Sequence, residues 1–217
     1  MFMKSYIVVG LGRFGAEVAR RLCALGNEVL AIDSNQDLVQ NISGDVTHAV
    51  VADARDKGVL KALGAKDFDC AIVAIGDSLA DSVLATMNVK ELGVPYVVAK
   101  AHDETHREVL KKLGADRVVI PEKEQASRLA KSLSSANVLD YIEISEDYGI
   151  IEVPAPGSWV DKSLIELNVR AKLGVNIIAV KRSGEINVSP AAQFRILAGD
   201  VLVVLGDTDA LSAVQKL

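Results

Sequence analysis

The stretch Tyr6-Ile7-Val8-Val9-Gly10-Leu11-Gly12-Arg13-Phe14-Gly15 constrains this chain more than any other. Tyr6 to Val9 is an aromatic and β-branched run suited to a buried strand, and Phe14, Val18, Leu22 and Leu25 then recur at helical spacing. The glycines therefore fall where a strand turns into a helix, the context that a Gly-x-Gly-x-x-Gly phosphate-binding turn requires. Gly10 permits the tight turn. Gly12 lets the backbone approach a pyrophosphate, and Gly15 lets the helix pack closely on the strand. A bound phosphate would meet free N–H groups and the positive end of the helix dipole.

A second strand is expected over Glu28 to Ile32, and Asp33 follows it, 18 residues beyond Gly15. A carboxylate there accepts hydrogen bonds from ribose hydroxyls and repels a 2′-phosphate, which disfavours NADP. Arg13 is the unusual member of the turn, because many dinucleotide-binding turns carry a small or apolar residue there. A guanidinium at this place complements a further phosphate, so the site leans toward a nucleoside di- or triphosphate over a hydride carrier. Its alternative is a solvated helix-start arginine, which the dipole disfavours unless an anion is present.

Downstream, helices and strands alternate. Helices are expected at Gln36–Ile42, Val59–Leu63, Leu79–Leu92 and Glu104–Leu113. Strands are expected at Thr47–Val51, Cys70–Ile75, Tyr96–Ala99 and Arg117–Ile120. Helices stop repeatedly on Leu-Gly, as at Leu92-Gly93 and Leu113-Gly114, with a strand a few residues later. Six strands in β-α alternation predict an α/β fold with a Rossmann-like, doubly wound parallel sheet. Hydrophobic content of 50% with only 4% aromatics fits Val/Ile/Ala-rich strands covered on both faces.

Ligands of such a sheet bind at the carboxyl ends of its strands. The residues expected there are Gly10, Gly12, Arg13, Phe14 and Gly15, then Asp33, Ser34 and Asn35, then Asp53 and Ala54, Ile75 and Gly76, and Lys100. Asp53 could meet a base, and Ile75-Gly76 offers an apolar wall with close backbone approach. His102 and His106 have i, i+4 spacing but no third ligand nearby, and they read as a solvated helix face. Cys23 and Cys70 read as small buried hydrophobes. Net charge of −5 argues against nucleic acid as a partner. No apolar run approaches the ~20 residues that span a bilayer, so a cytoplasmic protein is expected.

Pro121-Glu122 opens a further helix, with Ala126, Leu129, Ala130 and Leu133 on one face that needs a partner. Ser134 to Asn137 turns small and polar and marks a hinge, giving a nucleotide-binding domain over 1–135 and a second domain over 138–217. The second part has short strands at Tyr141–Ile144, Ile150–Val153, Asn176–Lys181, Glu185–Val188 and Val201–Leu205, with helices at Ser163–Leu167 and Asp209–Leu217. This predicts a small α+β domain.

Taken together, the chain resembles the RCK (regulator of K⁺ conductance) subunits of Ktr/Trk potassium-uptake systems, with an RCK N-lobe and an RCK C-lobe. The resemblance is carried by Val9-Gly10-Leu11-Gly12-Arg13-Phe14-Gly15, by Leu113-Gly114-Ala115-Asp116-Arg117 through Pro121-Glu122-Lys123, and by Leu167-Asn168-Val169-Arg170-Ala171-Lys172 with Gly174. It implies an N-lobe that binds ATP, ADP or NAD(H) and homodimers assembled into an octameric ring. It also implies a cytoplasmic location, peripheral to the membrane through the potassium channel subunit that the ring gates. It would put Arg13 on the terminal phosphates, Asp33 on ribose, Asn35 near the nucleotide and Lys100 near the phosphates. Glu122 would help hold a divalent cation, Mg²⁺ or Ca²⁺, between nucleotides of paired subunits; by its position alone it is a helix-start glutamate favoured by the dipole.

The resemblance further implies a C-lobe able to bind cyclic di-AMP across a two-fold interface. Arg170 would take a phosphate, Asn176 an adenine or phosphate, and Ile177 or Ile178 would form the apolar shelf. On the residues alone, Arg170 and Lys172 are equally a solvated pair at a helix end and the isoleucines strand core. Two other classes compete with a ligand-sensing regulatory subunit: an NAD-dependent oxidoreductase and a Rossmann fold kept only for assembly. An oxidoreductase needs a proton donor beside the nicotinamide, and the C-lobe sequence offers none, so no enzyme activity is expected. The intact strand-end set speaks against the assembly remnant.

Overall fold

A computed structural model of the protein describes residues 3–76, 78–134, 138–145 and 147–217. The chain divides into two compact units, one ending at Glu122 and one beginning at Lys123. The sequence places its linker at the other end of the same helix, at Ser134–Asn137; residues 135–137 lie outside the described residues.

The first unit runs β1 (Ser5–Val9), α1 (Arg13–Ala24), β2 (Glu28–Asp33), α2 (Gln36–Ile42), β3 (His48–Val51), α3 (Lys57–Ala62), β4 (Cys70–Val73), α4 (Leu79–Glu91), β5 (Tyr96–Lys100), α5 (Glu104–Lys112) and β6 (Arg117–Val119), and leads into α6 (Pro121–Ser134). The six strands are all parallel, in the order β3-β2-β1-β4-β5-β6, so the strand order reverses between β1 and β4. Side chains alternate along each strand. Ile7, Val9, Ile32, Val73 and Val97 accordingly pack with Leu60, Val89 and Leu110 on one face. Val8, Ala31 and Ile72 pack with Ala19, Val39 and Ile42 on the other. Burying both faces removes most of the sheet's apolar surface from water, at roughly 25 cal/mol per Å². The Leu-Gly endings behave as expected, with Gly93 and Gly114 in the left-handed region at φ +87° and +90°.

His106 departs from expectation. It is fully buried in α5, not solvated, and its Nδ1 lies 2.8 Å from His102 Nδ1. Asp103 caps α5 by accepting the His106 backbone N–H at 2.7 Å. Burial pushes the His106 pKa down.

The second unit contains β7 (Asp140–Glu143), β8 (Tyr148–Pro154), α7 (Leu164–Leu167), α8 (Val169–Leu173), β9 (Asn176–Arg182), β10 (Glu185–Val188), β11 (Val201–Asp207) and α9 (Thr208–Gln215). Its five strands form one antiparallel sheet in the order β10-β9-β11-β8-β7. Ile151, Val153, Trp159, Val180, Ile196, Leu202, Val204 and Leu211 build its core. Where the sequence predicts one short helix, two are present, because Asn168 adopts a left-handed conformation (φ 46°) that ends α7 and starts α8. A β-bulge leaves Ile178 as the extra residue between Ile177 and Ala179 opposite β11.

Asp200 is buried in this unit, and Arg182 grips both of its carboxylate oxygens at 2.7 Å. That fork holds the carboxyl below its usual range. A depressed folded-state pKa contributes stability above the ordinary Asp value and loses it on acidification. The urea midpoint of the wild type should therefore exceed that of Asp200→Asn at pH 7, and the gap should shrink as pH falls below about 4.

Candidate functional site

The site begins where β1 stops. Gly10 N–H donates to Ile32 O at 2.9 Å and Ala74 N–H donates to Val9 O at 2.7 Å, tying together the ends of β2, β1 and β4. Gly10 has φ +91°, and a Cβ there would meet Ala74 and Ile75 backbone at 3.0 Å. A Cβ on Gly15 would lie 1.9 Å from Gly10 O, so α1 rests directly on the turn. Around Gly12 nothing lies within 4 Å of a Cβ position, leaving the backbone open to a ligand.

Local capping separates α1 from its neighbours. Asn35, Asp56, Ser78 and Asp103 cap α2, α3, α4 and α5 through their side chains. The cap of α1 is Gly12, which has no side-chain acceptor, and no acidic residue stands in the first turn. Its first-turn N–H groups lack intrahelical partners, and the dipole adds positive potential. The site's chemistry is thus that of an anion cradle.

Asp33 is fixed beside it. Its Oδ2 accepts the Leu11 N–H at 2.6 Å and its Oδ1 accepts the Asn35 N–H at 2.8 Å. A carboxylate can accept about four hydrogen bonds, so acceptor positions remain for ribose hydroxyls. Ser34 and Asn35 follow in exposed positions, and Asn35 spends its side-chain oxygen on the Asp37 N–H.

On the other side of the turn the structure gathers Arg13, Phe14, Gly76, Lys100 and Glu122. Lys100 Nζ is 2.7 Å from Glu122 Oε1, 5.9 Å from the Phe14 ring centroid, and 3.4 Å from where a Gly76 Cβ would stand. Lys100, with a smaller contribution from Arg13, holds the Glu122 carboxyl below its usual range. Arg13 is exposed and makes no ion pair among the described residues. Its charge is therefore available to a ligand. No group of three candidate metal ligands is found among the described residues, and the Glu122 carboxylate is met by the Lys100 ammonium.

At the far end, Ala54 is buried and Ile75 half-buried. The Asp53 carboxylate lies in the fork of Arg55, which lowers its pKa. Arg55, Asp81 and Asn88 were not singled out from the sequence. Arg55 directly follows Asp53-Ala54, which was the available signal; Asn88 gave none. In the second unit, Arg170 and Asn176 are exposed, and Ile177 and Ile178 are both half-buried at the bulge rather than alternating in and out.

Among the described residues no helix is long and apolar enough to cross a membrane. The family model of the TrkA-N domain matches residues 6–121 and that of the TrkA-C domain matches 149–217. The chain is 42% identical to Ktr system potassium uptake protein C of Bacillus subtilis, over 98% of this chain and 96% of that one. It is 44% identical to protein A of the same system and organism, over 94% and 91% respectively. The GsuK RCK domain superposes with a TM-score of 0.70 at 22% identity, covering all of this chain and 48% of that one, which shows the shared fold. Two matched domains in order and two curated relatives above 40% identity along nearly the full length lead to one assignment: this chain belongs to the TrkA/Ktr family of potassium-uptake regulatory subunits.

Proposed function

We propose that the chain is the nucleotide-sensing regulatory subunit of a potassium-uptake system, without chemistry of its own. It takes ATP or ADP at the strand ends of the first unit, with NAD(H) as a competing ligand. The observation that carries this reading is the uncapped, glycine-cradled start of α1 with the exposed Arg13 beside it. Phosphates satisfy the free N–H groups, Arg13 and Lys100 meet the terminal phosphate charge, and Asp33 accepts the ribose hydroxyls. Once Lys100 turns to phosphate, Glu122 is freed; with a second copy's Glu122 and the nucleotide's own oxygens it can share a divalent cation.

Output requires assembly. Leu129 and Leu133 of α6 are 60% and 76% exposed, which favours a second copy on this face and a dimer that builds a ring. The ring sits in the cytoplasm against a membrane potassium channel subunit, and two nucleotides bias the channel only if they prefer different ring shapes. In this account the nucleotide-binding domain extends through α6, over 1–135, and the regulatory domain covers 138–217. Light scattering of the full chain at micromolar concentration should give a dimer or larger species; a monomer with and without ATP contradicts the mechanism. Mass spectrometry of what the purified protein releases on denaturation should find an adenine nucleotide.

The bulge favours a second ligand, cyclic di-AMP, in the second unit. It leaves Ile177 and Ile178 both part-exposed beside Asn176, an apolar shelf next to a polar group, with Arg170 as the phosphate ligand. Full-length protein should bind cyclic di-AMP, and Arg170→Ala should weaken it about tenfold or more. Unchanged affinity in the variant would remove Arg170 from the site.

A further inference from the structure

The nucleotide reading leaves one set of charges at the strand ends without a task. Arg55 Nε donates to both carboxylate oxygens of Asp53 at 2.9 and 3.0 Å, Nη2 donates to Oδ2 at 2.7 Å, and the Arg55 backbone N–H donates to Oδ1 at 2.9 Å. Nη1 reaches Asp81 Oδ1, in the first turn of α4, at 3.3 Å. The main chain is held too. Buried Asn88 of α4 donates its side-chain N–H groups to Ala54 O at 3.1 Å and to Arg55 O at 2.8 Å. Lys57 adds a bridge to Glu91 at 2.7 Å.

Part-exposed ion pairs add little to stability, so a fork spent on two aspartates at once is poorly explained by stability alone. What it fixes is position. The phosphates belong at α1 after β1 and the ribose at Asp33 after β2, so the strand order β3-β2-β1-β4 carries the base toward the end of β3. Two segments meet there: Asp53–Ala54 after β3, and α4, with Ile75 packed against the apolar cluster that holds Ala54. Arg55 and Asn88 tie the first to the second.

We propose that Arg55 is a positioning residue that joins these two segments into one rigid wall for the nucleotide base and thereby makes the site purine-selective. The inference rests on the nucleotide reading above. Asp53 then acts as the anchor of the guanidinium, since Arg55 already occupies both of its oxygens. Ala54 and Ile75, which belong to one apolar cluster, then offer the two rings of a purine more contact than the single ring of a pyrimidine. When the two segments move independently, the ordering cost falls on the ligand and that advantage is lost.

The test is titration of the full chain with ATP and with UTP, which share ribose and triphosphate and differ in the base. The wild type should prefer ATP. Arg55→Ala should weaken ATP about tenfold and UTP less than about twofold, and Asp81→Asn should shift the ratio the same way by less. Arg55→Lys, which keeps the charge without the fork, should restore the ratio only in part. Equal losses for ATP and UTP, an unchanged ATP affinity in Arg55→Ala, or a wild type without base preference would each overturn the inference. A wild type that binds neither nucleotide would remove the proposed site and the inference with it.

Discussion

Replacing Gly15 by alanine should abolish nucleotide binding and destabilise the first unit by about 3 kcal/mol or more. The added Cβ would sit 1.9 Å from Gly10 O and 2.9 Å from Ala74 Cβ. Neither neighbour can swing aside: one is main chain held by the Gly10–Ile32 hydrogen bond, the other a methyl on buried Ala74. The helix must therefore lift off the turn, and lifting it carries the first-turn N–H groups away from any phosphate. Gly12→Ala makes the control for folding, because a Cβ there meets nothing within 4 Å and the φ of −61° is open to any residue. Chemical denaturation should show a large loss for Gly15→Ala and little for Gly12→Ala, while both weaken ATP, the second by blocking close approach. Gly15→Ala with wild-type stability would mean that α1 does not rest on the turn as described.

Arg13→Ala should weaken ATP by about 1.5–3 kcal/mol more than it weakens AMP, the range for hydrogen bonds to charged groups. Arg13 makes no ion pair among the described residues, so its removal costs the free protein little, and the loss reports on the ligand. The sign follows from where charge is added along the nucleotide. In the proposed mode ATP would extend its extra phosphates beyond the α-phosphate toward the side where Arg13, Lys100 and Glu122 gather, and AMP would leave that side empty. Calorimetry on both ligands separates this from a general loss of site integrity. Equal losses would take Arg13 off the terminal phosphates.

The parallel sheet was legible because its signals are local. Apolar strand runs and glycine stops sit within a few residues of the boundaries they set, as Gly93 does after α4 and Gly114 after α5. The division of α7 from α8 was not legible, since nothing in Leu167-Asn168-Val169 announces that Asn168 turns left-handed. The bulge at Ile178 and the burial of His106 escaped for a related reason: both depend on what packs across from them. Within the site, the glycines and Asp33 were readable from strand-turn-helix register, but the grip of Asp33 on the Leu11 N–H was not. Lys100 and Glu122 are 22 residues apart, and only the family resemblance paired them with one ligand; the structure places them 2.7 Å apart. Arg55 was missed because its two partners arrive from different elements, one two residues away and one 26 residues away.

The central claim is that the uncapped start of α1 is an adenine-nucleotide site, and a calorimetric titration of the full-length wild type with ATP tests it most directly. The account predicts saturable binding at one nucleotide per chain, with ADP and NADH competing and NADPH markedly weaker because Asp33 repels its 2′-phosphate. No binding of ATP, ADP or NADH by folded protein, or NADPH binding as tightly as ATP, would contradict it.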